Sequence, residues 1–207
     1  MRKVVIITAP MMKSDNLRKM QYPVDGNKAI EYDKPVCCPI NGVLARKLEK
    51  DEDVKIIYIT IERSKKCEQN KKAFIDEIIG INNVNKAKLE FDILEIPFEP
   101  TKQTYNKLIT KLADKIPDNA EIYTDITFSY KPAILSLFCA LRFVEEFKDA
   151  VIQYIVYGKV EFNDDNKPEN PMLYDITSLY YLFKLMGTMG AADAETATKT
   201  LNDFFAI

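Results

Sequence analysis

The segment Tyr123-Thr124-Asp125-Ile126-Thr127-Phe128-Ser129-Tyr130-Lys131-Pro132 concentrates the groups in this chain that could act on an anion. Its pattern predicts a strand ending at Asp125–Thr127, a tight turn of small and polar residues, and a helix opened by Lys131-Pro132. In an open α/β sheet, ligands bind just outside the carboxyl ends of the strands. A helix amino end placed there offers unpaired N–H groups and the positive end of a dipole. Lys131 adds a mobile cation beside them. The same pattern also describes an ordinary βα turn with Pro at the first helical position.

Two other loops should gather at the same end of the sheet: Thr8–Met12 after the first strand and Glu62–Lys65 after the second. The candidate ligand-binding residues are therefore Thr8, Ala9, Pro10, Met11 and Met12, then Arg63, then Thr127, Phe128, Ser129, Tyr130 and Lys131. Thr8, Thr127 and Ser129 supply hydroxyls, and Arg63 and Lys131 supply cations. The N–H groups just past Pro39 and Pro132 are expected to be free. This inventory suits a phosphate or phosphodiester. Each member also has a plainer role open to it. Thr8 could simply end a strand, and Arg63 with Lys65 and Lys66 could form a solvated face. Tyr130 could stack on a base or pack on its neighbours, and Asp125 could hold a loop. The Asp164-Asp165 pair reads as solvent-exposed turn chemistry.

The elements that must position these groups alternate. Lys3–Ala9 is a continuous apolar run, as expected of a strand buried on both faces. Residues 11–38 show no sustained period, and a loop this long is usually functional or disordered. It follows the first strand directly and is expected to lie over the ligand site. Pro39 begins a helix with Ile40, Val43, Leu44 and Leu48 on one face. Strands follow at Asp53–Ile61, Leu89–Ile96 (nearer an edge), Ala120–Thr127 and Val151–Tyr157. Helices are expected at Lys72–Ile79, closed by Gly80, along Tyr105–Ile116, and after Pro132, where the sequence is apolar nearly all round. Met172–Ile176 returns as a short antiparallel strand. Thr177 and Asp193 cap two last helices. The expected fold is α/β: a Rossmann-like, mostly parallel sheet with helices on both faces and an edge hairpin near the C-terminus. After Ile7 comes Thr8-Ala9-Pro10-Met11-Met12, without glycine, which argues against a G-x-G-x-x-G dinucleotide site.

The chain has 207 residues, 47 % apolar and 29 % charged, with a net charge of −2. This suits one globular domain with a small appendage and carries no global basic footprint for duplex nucleic acid. No stretch approaches the length of a membrane span, and Met1-Arg2-Lys3 with the short apolar run Val4–Ile7 does not make a signal peptide. Cys37, Cys38, Cys67 and Cys139 form no C-x-x-C pair and read as reduced thiols in a cytoplasm, with Cys139 in a buried helix pattern. Histidine is absent, which removes His-dependent triads and His-ligated zinc. No carboxylate cluster has metal-ligand spacing. Neither metal nor cofactor is expected.

Together, Tyr123–Pro132, its all-apolar helix, the strand Tyr154–Tyr157 and Met172-Leu-Tyr-Asp-Ile-Thr-Ser-Leu-Tyr180 resemble the CRISPR-associated Rossmann-fold (CARF) sensor domains of type III accessory proteins. That family follows its fourth strand with an Asp-x-Thr-x-Gly-x-Arg/Lys-like turn. This chain matches at Asp125, Thr127 and Lys131, and departs at Ser129, where glycine is usual and tolerates φ > 0. A strand–Asp-Ile-Thr–helix element near the domain end is matched by Asp175-Ile176-Thr177. The resemblance implies a sensor over residues 1–190, with 191–207 a short helix that could open a linker or a missing effector. It implies a homodimer that binds cyclic tetra- or hexa-adenylate across its two-fold axis, on the loops after the first and fourth strands. Adenines would pack on Met11, Met12 or Tyr130, and the apolar helix would enter the dimer interface. Some members cleave their own ligand without metal, by attack of a ribose 2′-hydroxyl on the adjacent phosphate. Lys131 and Ser129 are the candidate catalytic residues for that reaction. Three readings stay open: sensor, ring nuclease, and an unrelated Rossmann-like nucleotide-binding module.

Overall fold

The computed structural model describes residues 1–11, 17–62, 64–97, 99, 101–129, 131–165, 167–188, 190–191 and 193–205. The chain divides into two compact units, Met1–Thr177 and Ser178–Ile207. The first is built on β1 (Arg2–Thr8), β2 (Val24–Asp25), α1 (Pro39–Lys47), β3 (Asp53–Ile61), α2 (Lys65–Asn85), β4 (Lys88–Ile96), α3 (Lys102–Lys115), β5 (Ala120–Asp125), α4 (Lys131–Phe147), β6 (Val151–Phe162) and β7 (Pro168–Asp175). One seven-stranded sheet runs in the order β2-β7-β6-β5-β1-β3-β4. Strands β6, β5, β1, β3 and β4 are mutually parallel, and β7 is antiparallel to β6. This is the expected Rossmann-like sheet with its hairpin toward one edge, where the two-residue β2 adds outside β7, and β4 is the opposite edge.

The core follows from the apolar runs. Val4, Val5, Ile6 and Ile7 of β1 are 0–1 % exposed, because helices cover both faces of the strand. Right-handed crossovers take the chain from β1 through β3 to β4 in one direction and from β5 to β6 in the other. Accordingly α1 packs with α2, and α3 with α4. On α4, Leu137, Ala140, Leu141 and Val144 face inward. Its outer side carries Leu135 (68 % exposed), Phe143 (43 %) and Phe147 (70 %), with Cys139 in the same row. Cys139 is exposed, not buried as its helix pattern predicts, whereas Cys37, Cys38 and Cys67 are buried. A helix apolar on every side does not reveal which side the sheet covers.

Several boundaries also differ from expectation; β7, for one, begins at Pro168 rather than Met172. Helix α2 begins at Lys65 rather than Lys72, because the Ser64 hydroxyl accepts the Cys67 N–H at 3.3 Å. It runs through Gly80, where a Cβ would meet nothing within 4 Å, and stops at Lys86 in the left-handed region (φ 62°). There the Asn82 side chain bonds both the N–H and the carbonyl of Ala87 at 2.8 Å. Strand β6 extends to Phe162, beyond the end of β5, as the first arm of the hairpin. Residues 24–30 of the expected loop form β2 and a 3-10 turn at Lys28–Ile30.

The second unit continues α5 (Thr177–Thr188) and adds α6 (Ala194–Phe205), whose start is capped by Asp193 accepting the Thr196 N–H at 2.8 Å. Leu179, Phe183 and Met186 of α5 are exposed.

At Gly158, α1 packs directly on the backbone of β6. A Cβ on it would lie 2.5 Å from Pro39 Cγ and 3.2 Å from Thr127 Oγ1. The proline ring cannot swing aside, so Gly158→Ala must push α1 off β6. We expect a loss of about 1–3 kcal/mol, measured by urea denaturation.

Candidate functional site

Strand β1 lies between β3 and β5. The chain leaves β1 toward one side of the sheet and leaves β5 toward the other, which opens a crevice at their carboxyl ends. Thr8 and Ser129 meet there: the Ser129 hydroxyl donates to Thr8 Oγ1 at 2.8 Å. Residues 121 positions apart are thus joined by the turns that the sequence singles out. The turn after β1 is held from below. Ala9 N–H donates to the Ile59 carbonyl at 2.7 Å, and the buried Asn70 amide donates to the Pro10 carbonyl at 2.7 Å. Ala9 and Pro10 are buried, and Met11 emerges to solvent.

Asp125 lies beneath this crevice and is 1 % exposed. Its Oδ1 accepts the Thr127 N–H at 2.7 Å and its Oδ2 accepts the Ile40 N–H at 3.1 Å. Burial pushes its pKa above the usual carboxylate range, and the hydrogen bonds from Thr127 and Ile40 only partly offset this. The Thr127 hydroxyl in turn accepts the Gly158 N–H at 2.7 Å. Thr127 is therefore spent on the scaffold, while Thr8 and Ser129 face each other at the crevice. Phe128 and Ser129 are half-buried, and Lys131 is exposed at the start of α4.

The amino end of α1 is not the open anion site expected past Pro39. Ile40 gives its N–H to Asp125, and Asn41 N–H donates to the Cys38 carbonyl at 2.9 Å. Glu77 of α2 takes the rest. It accepts from Cys37 N–H (3.0 Å), Cys38 N–H (3.3 Å), the Cys37 thiol (3.1 Å) and the Asn41 amide (2.9 Å). Two carboxylates thus already occupy the positive end of this short helix. A third anion would meet repulsion there. The hydrogen bond with Cys37, and burial after it, push the Cys38 thiol up.

Asp175-Ile176-Thr177 repeats the Asp125 turn on the other side of β6. Thr177 N–H and hydroxyl both donate to Asp175 Oδ1, at 3.1 and 2.5 Å. Thr177 Oγ1 accepts the Ile155 N–H at 2.8 Å. The two isoleucines match as well: Ile126 N–H donates to Val156 O (3.0 Å) and Ile176 N–H to Ile155 O (2.8 Å). Asp125 and Asp175 both stand opposite Val156 in the ladder.

A cavity of about 390 Å³ opens beside the Thr127–Phe128 turn. Its far wall is Leu17–Tyr22, so part of the long segment does lie beside the strand ends. That wall is fixed: Met20 and Val36 exchange two backbone hydrogen bonds of 3.0 and 2.9 Å, and Lys19 pairs with Glu77 at 3.5 Å. Met12, Arg63 and Tyr130, three of the residues singled out in sequence, lie outside the described residues. Among the described residues no group of three or more Cys, Asp or Glu could hold a metal, and no helix is long and apolar enough to cross a membrane. Asp164 and Asp165 are exposed in the hairpin turn. Gly158, Glu77 and Asn70 carry no local motif and are legible only in three dimensions. Of these three only Gly158 lies on β6, which Thr127 and Thr177 hold from its two sides.

The sequence matches no protein-family model and no curated protein.

Asp125→Ala would leave the buried Ile40 N–H and the half-buried Thr127 N–H without an acceptor. We expect a loss of about 2–5 kcal/mol on urea denaturation. The pH dependence has a definite sign. The folded state holds the Asp125 proton at pH values where the unfolded chain has lost it, so this group's contribution makes stability fall as pH rises through that interval. In Asp125→Asn that component vanishes, flattening the fall in stability that begins above about pH 4, where the unfolded aspartate loses its proton.

Proposed function

We propose that this chain is a CARF-like sensor of cyclic oligoadenylate, acting as a two-fold homodimer in a type III CRISPR antiviral response. The observation that carries the reading is the hydroxyl pair Thr8–Ser129 across the crevice between β1 and β5, with exposed Lys131 two residues beyond it. A phosphodiester needs donors and a cation at one place, on a scaffold that does not rearrange. Hydroxyls and Lys131 supply the first. The buried Asp125 and Asn70 bonds supply the second.

The ring has its own symmetry, so it needs the same donors from each side, which an isologous dimer provides. The outer row of α4, Leu135, Cys139, Phe143 and Phe147, recurs every four residues and is exposed. Phe143 and Phe147 already pack on each other at 4.9 Å between ring centroids. In this reading two such rows meet at the dimer axis.

A second reading keeps the same site and adds chemistry. The ribose 2′-oxygen attacks the adjacent phosphorus, the P–O5′ bond breaks, and a 2′,3′-cyclic phosphate and a 5′-hydroxyl remain. Lys131 would stabilise the charge that develops on the phosphate, and Ser129 would position it. No metal enters the step. It is the exposed cation beside the hydroxyl pair that favours this reading.

Calorimetry with cyclic tetra- and hexa-adenylate tests the sensor. We expect micromolar or tighter binding of one ring per two chains, and no binding of either ring by a confirmed dimer refutes it. Lys131→Ala should weaken binding by about 1.5–3 kcal/mol while light scattering still reports the dimer. Incubating ring with excess protein and EDTA separates the readings: a linear product with a 2′,3′-cyclic end marks the nuclease, and an intact ring marks the sensor.

A further inference from the structure

The cavity beside the Thr127–Phe128 turn has no role in the hydroxyl-pair site, and its lining is unlike that site. We infer that it is a separate pocket for one mononucleotide, with the base between aromatic walls and the phosphate on Arg18. This does not require a cyclic ligand. It shares only the turn after β5 with the preceding proposal.

Four features converge. The volume, about 390 Å³, falls at the low end of ligand pockets, enough for one nucleotide rather than a chain of them. The lining is unusually aromatic for its size, with Tyr22, Phe128 and Tyr157 among its walls. Aromatic faces receive a flat base by stacking, worth about 1–3 kcal/mol per base. Tyr157 is braced for this by packing on Tyr174, with ring planes 24° apart.

Charge supplies the third feature. Among the described residues Arg18 is the only cation lining the cavity. It is exposed, and among the described residues no carboxylate pairs with it. A guanidinium left open at the rim of an apolar cavity is matched by a phosphate, which it can bind through two parallel hydrogen bonds. Its neighbour Lys19 is engaged by Glu77. The fourth feature is place. The cavity lies at the carboxyl ends of β5 and of the part of β6 that pairs with it, the end at which open α/β sheets bind ligands. Its wall is already held in position by the Met20–Val36 bridge, so little order has to be gained on binding.

The experiment uses the full chain labelled at its methionine methyl groups. Met20 lines the cavity, and Met1 precedes the amino end of β1, at the opposite end of the sheet. Adenosine 5′-monophosphate should shift the Met20 resonance and leave Met1 unmoved. Val160→Trp, which fills the cavity from β6, should abolish the shift. Arg18→Glu changes an exposed side chain and leaves the fold intact. It should weaken the monophosphate at least tenfold and leave adenosine unchanged. The pocket is refuted if the monophosphate at about 1 mM leaves Met20 unmoved. It is equally refuted if a folded Val160→Trp, or Arg18→Glu, binds it as well as the parent chain. The two proposals fail separately. A cyclic oligoadenylate that binds without moving Met20, with the monophosphate also silent, overturns the pocket and leaves the sensor. A monophosphate that moves Met20 when no ring binds supports the pocket and removes the sensor.

Discussion

One buried carboxylate determines where three elements end. Asp125 receives an N–H from the first turn of α1 and another from its own turn after β5. Through Thr127 that turn then holds β6. Among the described residues no cation pairs with Asp125. Its partners are amide dipoles, which is why burial raises its pKa despite two hydrogen bonds. A charge in such a place is tolerable only while both N–H groups point at it, so the geometry of α1, β5 and β6 at this end is fixed jointly. With Glu77 on the same helix end, the electrostatics of the crevice are already committed on the α1 side. What it has left to offer is hydroxyl oxygen, exposed lysine and the start of α4.

The segment between β1 and α1 shows how a long aperiodic stretch can still be structured. It has no heptad and no alternation, and among its described residues one two-residue strand and one 3-10 turn. Besides the Met20–Val36 bridge and the pairing of β2 with β7, side chains carry several of its bonds. Asn27 reaches Asp175 at 2.9 Å, Glu31 accepts the Val24 N–H at 2.7 Å, and Glu77 gathers Cys37 and Cys38. Each link joins a polar side chain to a backbone group or to another side chain. Tyr22, Val24, Ile30 and Val36 fill the space between them. Such order leaves no period in the sequence, because the partners are chosen by position rather than by repeat.

The same reasoning explains what could be read from sequence and what could not. Buried strands were legible because covering both faces demands an uninterrupted apolar run: Asp53–Ile61 is β3 to the residue. The antiparallel return of β7 was legible because turn residues separate it from β6. The first seven residues of α2, Lys65–Lys71, were not. They are polar and solvent-facing apart from Cys67 and Asn70, and only the Ser64 cap marks their start. In the site, Asp125, Thr127 and Ser129 stood out by type and spacing. Of their partners only Thr8 stood out as well; Ile40 and Gly158 did not, because they are brought up by the topology of the sheet.

The doubled Asp-Ile-Thr turn has a mechanical side. Thr177 and Thr127 grip β6 at Ile155 and Gly158, three residues apart, or roughly 10 Å of extended chain. Beyond Gly158 the strand leaves β5 and runs on with β7 alone. It is a beam clamped at two points with an overhang. Extended backbone under two clamps hardly bends, so a push on the turn after β5 has two outlets. It must tear the Gly158 bond, or it must travel down the beam to Thr177, the residue from which α5 departs.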